Sequence, residues 1–154
     1  MSVRIINSSN SIPQLISELK KLKKYEIHVG IFGSDDAEYV MIAGVHEFGI
    51  TIQKEKGSIV IPERSFLRST FDEKQNEWFK FVEKQLAHLL NCRISAKTLC
   101  ERLGAKMVAD AQEKLTDLDT PPNAPATIAK KGSSNPLIDS GGLRQRITYK
   151  VVQK

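Results

Sequence analysis

The chain is poor in the residues from which reactive centres and covalent staples are built. Its 154 residues include two cysteines, three histidines and one tryptophan. With a helix expected around Cys100, the pair Cys92 and Cys100 points to reduced, packed thiols rather than a disulfide framework. Two cysteines also cannot complete a zinc site without histidines at suitable spacing, and only His88 lies near, so no metal site is expected. No apolar run approaches the roughly 18 residues of a membrane span, and no membrane partner is expected. The opening MSVRIINSSNSIPQ lacks the apolar stretch and small-residue cleavage site of a signal peptide. The expectation is a chain made and kept in a cytoplasm.

Charge is present but diffuse. The net charge of +5 is spread over KKLKK, KEK, AKK and RQR. An acidic partner, DNA included, is compatible with that balance. A nucleic-acid footprint would cluster the charge and interleave it with stacking aromatics, and one Trp and three Tyr do not do so. Solvated faces account for most of the excess.

With 40% hydrophobic residues, the chain is suited to one domain with a real core. Ser11 and Pro13 open a helix in which Ile12, Leu15, Ile16, Leu19 and Leu22 recur at helical spacing. In YEIHVGIFG, Tyr25, Ile27, Val29 and Ile31 alternate with polar or small residues, the period of a half-buried strand, and His28 falls on the polar side. Ser34, Asp35 and Asp36 cap a second helix over about 37–47, stopped by Gly49. ITIQKEKGSIVIP predicts a hairpin turning at 54–57 and ended by Pro62. Phe71, Trp78, Phe79, Val82, Leu86, Leu89 and Leu90 mark a long main helix. Ser95 caps another, with Leu99, Leu103, Met107, Ala111 and Leu115 every fourth residue.

From about 117 to 142 no period remains, while four prolines and three glycines accumulate. An extended loop of that length is usually functional or disordered. RITYKVV then closes the chain as a strand. The order predicts an α+β fold: a small, mainly antiparallel sheet with long helices on one face.

Three constellations invite chemistry. Asp139-Ser140-Gly141-Gly142 looks like the nucleophile segment of a chymotrypsin-like serine protease, but His28, His46 and His88 do not sit in the many-stranded chain that such a protease needs. Read as structure, Asp139 and Ser140 are helix caps, Pro136 and Leu137 anchor the loop, and LRQRI makes a helical turn. His46-Glu47 is half of a zinc-protease helix motif whose second histidine is absent, since Ile50 stands there. A helix end packed on the hairpin is the expectation. AKKGSSN lacks the flanking strand and helix of a phosphate loop. Arg64 and Arg68, in IPERSFLR, are expected to form surface ion pairs with Glu63, Asp72 or Glu73, or to mark a contact surface. No enzymatic activity is expected.

The order of the segments is more specific than any one of them. VGIFG, IAGVHEFG, IPERSFLRSTFDE and PPNAPATIAKKGSSNPLIDSGGLRQRITYKV together resemble the successive blocks of the tailed-bacteriophage minor tail-component, or tail-completion, proteins, over about residues 27–152. The last block is the most specific. Its family positions fall on Pro121, Pro122, Ala124, Pro125, Thr127, Ile128, Lys131, Gly132, Pro136, Leu137, Ile138, Asp139, Ser140, Gly141, Leu143 and Arg144. Ser140 stands where threonine is common, Gly142 where a polar residue often stands, and Ser65 where IP-x-R-P-F has proline, which is expected to loosen the entry to the main helix.

The resemblance implies a virion component of a phage or prophage, at the tail or head–tail junction (neck), made in the host cytoplasm and needing no cofactor. Its implied partners are other tail or neck proteins and copies of itself in a ring. Arg64, Phe66, Arg68, Pro122, Pro125, Lys130, Lys131, Asp139, Arg144 and Arg146 are the expected contact residues. Lys130, Lys131, Arg144 and Arg146 would face DNA in a ring, without specificity, or acidic patches on a partner. The long loop is expected to order only on assembly. A basic nucleic-acid-binding phage protein is the alternative.

Overall fold

Why the first and last strands meet is legible in their side chains. The computed structural model describes residues 11–34, 36–55, 57–131, 135, 137 and 141–154, without the side chains of residues 126, 130 and 131. Strand β1 (Tyr25–Gly30) pairs antiparallel with β4 (Thr148–Gln153), with Ile27 opposite Val151 and Val29 opposite Tyr149. Opposed apolar residues on one face of an antiparallel pair stabilise it and fix its register. Helix α1 (Ile12–Leu22) precedes β1, and α2 (Ala37–Phe48) follows it. A hairpin of β2 (Ile50–Lys54) and β3 (Gly57–Ile61) leads to the long helices α3 (Leu67–Leu90) and α4 (Ala96–Asp117). Among the described residues, β2 and β3 pair only with each other. The α+β architecture is as expected, with the antiparallel strands divided into two pairs.

Helices α3 and α4 pack together, and α4 lies against both β1 and β4. One core cluster joins Ala43, Phe66, Ala111, Leu115, Leu143 and Ile147; the other joins Leu89, Ala96 and Leu99. Burying side chains such as Phe66, Leu89, Leu99 and Leu115 contributes about 1.5–3 kcal/mol each. Between α3 and α4, Trp78 Nε1 donates to Asp110 Oδ2 at 2.6 Å, and Lys106 Nζ bonds the same carboxylate at 3.0 Å. A buried acid is tolerated there because both charge and lone pairs are answered.

Two expectations change. The segment 117–142 is not without secondary structure: residues Pro125–Lys131 form helix α5, started by a proline, which fits the first helical position. Gly142–Arg146 form α6, the helical turn expected before the last strand. Leu137 is buried in the core, as its anchoring role requires, while Pro136, Asp139 and Ser140 lie outside the described residues. The second change concerns helical stripes. Phe71, Phe79 and Leu90 on α3, and Ile12 and Ile16 on α1, recur at helical spacing yet remain exposed. Periodicity shows which residues share a face, and a chain this size does not cover every such face.

Candidate functional site

Helix α3 begins without a capping side chain. Phe66 holds its N-cap position and makes no side-chain cap bond. The first amides of a helix have no intrahelical acceptor, and an anion is favoured beside them. Glu47, at the end of α2, supplies it. Its Oε2 accepts from the amides of Phe66 at 2.9 Å and Leu67 at 3.0 Å. Oε1 accepts from the Arg68 amide at 2.9 Å and from Ser65 Oγ at 2.7 Å. Glu47 is only 5% exposed. Burial pushes its carboxyl up, but the bonds from Leu67, Arg68, Ser65 and Phe66 outweigh it and hold the group below the usual glutamate range.

Arg68 closes the joint from outside. Its Nε donates to Glu47 Oε1 at 3.1 Å, and its Nη2 donates to the Glu47 carbonyl and to Glu63 Oε1, both at 2.7 Å. The guanidinium lies over the Phe48 ring, 4.6 Å from the centroid. Gly49 makes the approach possible: it sits at φ +68°, and a Cβ there would lie 2.8 Å from the Glu63 nitrogen.

Arg64 extends the joint to the proline segment. Its amide donates to the His46 carbonyl at 2.7 Å. Its side chain donates to the carbonyls of Pro121 (2.7 Å) and Pro122 (3.0 Å) and to Asn123 Oδ1 (3.3 Å). A planar guanidinium suits such a fan of acceptors, which a lysine could not reproduce. The expectation of a surface ion pair is therefore corrected. Arg64 is 4% exposed, and its bonds go to neutral oxygens. Pro121, Pro122 and Asn123 are thus tied to the segment that leads into α3.

A second joint holds α6. Arg146 pairs with Asp36, the residue whose side chain caps α2 by accepting from the Tyr39 amide at 3.2 Å. The Arg146 guanidinium stacks 3.7 Å from the Tyr39 ring centroid. The arginine beside it holds the Asp36 carboxyl below its ordinary range. Gly142 is buried under Tyr39: a Cβ there would meet the hydroxyl at 2.2 Å. The polar residue common at that position in the resembled family would not fit.

The expected contact residues thus divide. Phe66 is buried outright in the core and Arg64 nearly so, which corrects their expected place on a contact surface. Pro122, Pro125, Arg144 and Arg68 are exposed, Arg68 while bonding Glu47, and Arg146 is half-buried beside Asp36. Asp139 and the side chains of Lys130 and Lys131 lie outside the described residues. Glu47 is the residue that sequence reasoning missed, because its carboxylate reaches the start of α3 from a separate helix. Ser65, at the entry to α3, donates its hydroxyl to Glu47 and accepts from the Ser69 amide at 3.3 Å.

Chemically, these joints hold geometry. The Glu47 oxygens face five donors, and the Arg64 fork is occupied by the chain's own carbonyls. Among the described residues, no helix is long and apolar enough to cross a membrane. No family model matches the chain, and no curated protein or solved structure matches it either.

Proposed function

We propose that this chain is a structural assembly component of a phage or prophage virion, completing the tail or joining it to the head as one subunit of a ring. One observation carries the reading. Three of the blocks that resemble tail-completion proteins, GVHEFG, IPERSFLR and PPNAP, converge on the Glu47–Arg64 junction, where their charged residues lock backbone to backbone. A rigid junction of this kind suits a part of a particle, where each subunit has to present the same surface to its neighbours. Among the histidines, His28 is exposed on β1 and His88 is exposed near the end of α3.

The test is genetic. In the phage or prophage encoding the chain, its removal is expected to leave filled heads and unjoined tails under the electron microscope, restored by supplying the chain in trans. Normal joined particles in its absence would overturn the reading.

A further inference from the structure

The β2–β3 hairpin is exposed along almost its whole length. Its register sets Ile50 opposite Ile61 and Ile52 opposite Ile59, so four isoleucines share one face. Ile50, Ile52 and Ile59 keep 44%, 41% and 45% of their surface exposed. A lone two-stranded hairpin is marginal in water, and burial of that face would stabilise it. At its base, Phe48 is exposed by 65%, and Val60 by 64% on the opposite face. At roughly 200 Å² for a large apolar residue, the three isoleucines and Phe48 expose about 400 Å². That lies within the roughly 300–600 Å² of a monomer's largest patch, often a functional one, and is about half of the roughly 800 Å² per partner of a standard interface.

The same chain carries a surface that fits. Among the described residues, strand β1 has a strand partner on one side only, β4. Its Ile27 and Val29 line an apolar groove of about 300 Å³ with Phe71, Trp78 and Met107. A strand added beside β1 would send alternate side chains to the groove face of the sheet, at the two-residue spacing of the isoleucines. Thr70 joins this groove to a cleft where Glu73, Asp110, Glu113 and Asp117 outnumber Lys74 and Lys114. In sequence, residues 54–56 read Lys-Glu-Lys, of the opposite net charge.

We propose that the hairpin of one copy docks on a second copy, along the β1 edge, with its isoleucine face over the groove. Donor and acceptor surfaces differ, so the contact is head to tail and repeats around a ring. The inference rests on the ring reading above for its occupant, a second copy of this chain.

Sedimentation of the full chain over a concentration series tests it. Wild type is expected to associate beyond a monomer. The hairpin double variant Ile52→Lys/Ile59→Lys and the groove variant Phe71→Lys are each expected to associate at least tenfold more weakly. Mixed, they are expected to form pairs, because each retains the surface that the other has lost. A strictly monomeric wild type, undiminished association of the hairpin variant, or a mixture that does not pair would overturn the proposal. If Phe71→Lys does not fold, amine cross-linking of isotopically distinct wild-type copies replaces it. A link from Lys54 of one copy to Lys74 or Lys106 of another is expected, and links only within a copy overturn the contact. Virion membership is read separately from particles, so either reading can fail alone.

Discussion

The carboxylate of Glu47, at the last turn of α2, caps α3 by accepting from the amides of Phe66, Leu67 and Arg68 at 2.9, 3.0 and 2.9 Å. The device recurs: Glu18 on α1 accepts from the amide of Ala96, the first residue of α4, at 2.7 Å. Both long helices therefore start against an acid from another helix, which ties local helix stability to tertiary packing.

Glu47→Gln is expected to lower the unfolding free energy by about 2–3 kcal/mol, because one amide oxygen cannot serve the donors that two carboxylate oxygens serve. Equilibrium urea unfolding at neutral pH measures it. An unchanged midpoint and slope would show that the cap does not govern stability.

The same residue sets a pH dependence. Its folded pKa is depressed, so near pH 4 the unfolded chain binds more protons at this position than the folded chain does. Its contribution is complete above the ordinary glutamate value of about 4.3 and disappears as pH falls through the lower folded value. Between about pH 5 and pH 3, wild type is expected to lose stability more steeply than Glu47→Gln. Parallel urea midpoints across that range would contradict this.

Arg64→Lys is expected to release the Pro121 and Pro122 carbonyls, since an ammonium cannot span both with the amide of Asn123. Limited proteolysis within residues 118–124 is expected to accelerate at least tenfold, at a cost of about 1.5–3 kcal/mol in stability. Equal cleavage rates in both proteins would remove the clamp from the account.

Trp78 is the chain's only tryptophan, and its indole bonds the buried Asp110. Trp78→Phe is expected to cost about 1–2 kcal/mol, a fall of roughly 3–6 °C in Tm. Wild-type tryptophan fluorescence is expected to change in the same transition as the helical circular dichroism signal. Separate transitions would mean that the α3–α4 pair does not open with the rest.

For DNA, negligible binding at physiological salt is expected. Arg146 is engaged by Asp36 and Tyr39, and the remaining cations are dispersed. Tight binding with a steep salt dependence, the mark of several phosphate contacts, would favour the nucleic-acid reading instead.

Much of the fold was legible where periodicity and capping agree. Asp36 before α2, Ser95 before α4, and the alternation that pairs Ile27 with Val151 are all read from neighbours in sequence. The junction was not, because its partners are distant along the chain. Arg64 finds its acceptors 57 and 58 residues away, and those acceptors are backbone carbonyls, which every residue possesses. Glu47 looked like part of a metal motif because spacing records which residue types are close, without recording what their oxygens face. Exposed Phe71 and Phe79 follow from the same limit: a helical stripe does not say whether a neighbour covers it.

The most direct measurement is the protein composition of purified, DNA-filled, tailed particles from the source phage, by quantitative mass spectrometry. A virion ring subunit predicts this chain at several copies per particle, co-purifying with the tail or neck fraction. Its absence from infectious particles, with heads and tails normally joined, would contradict the account.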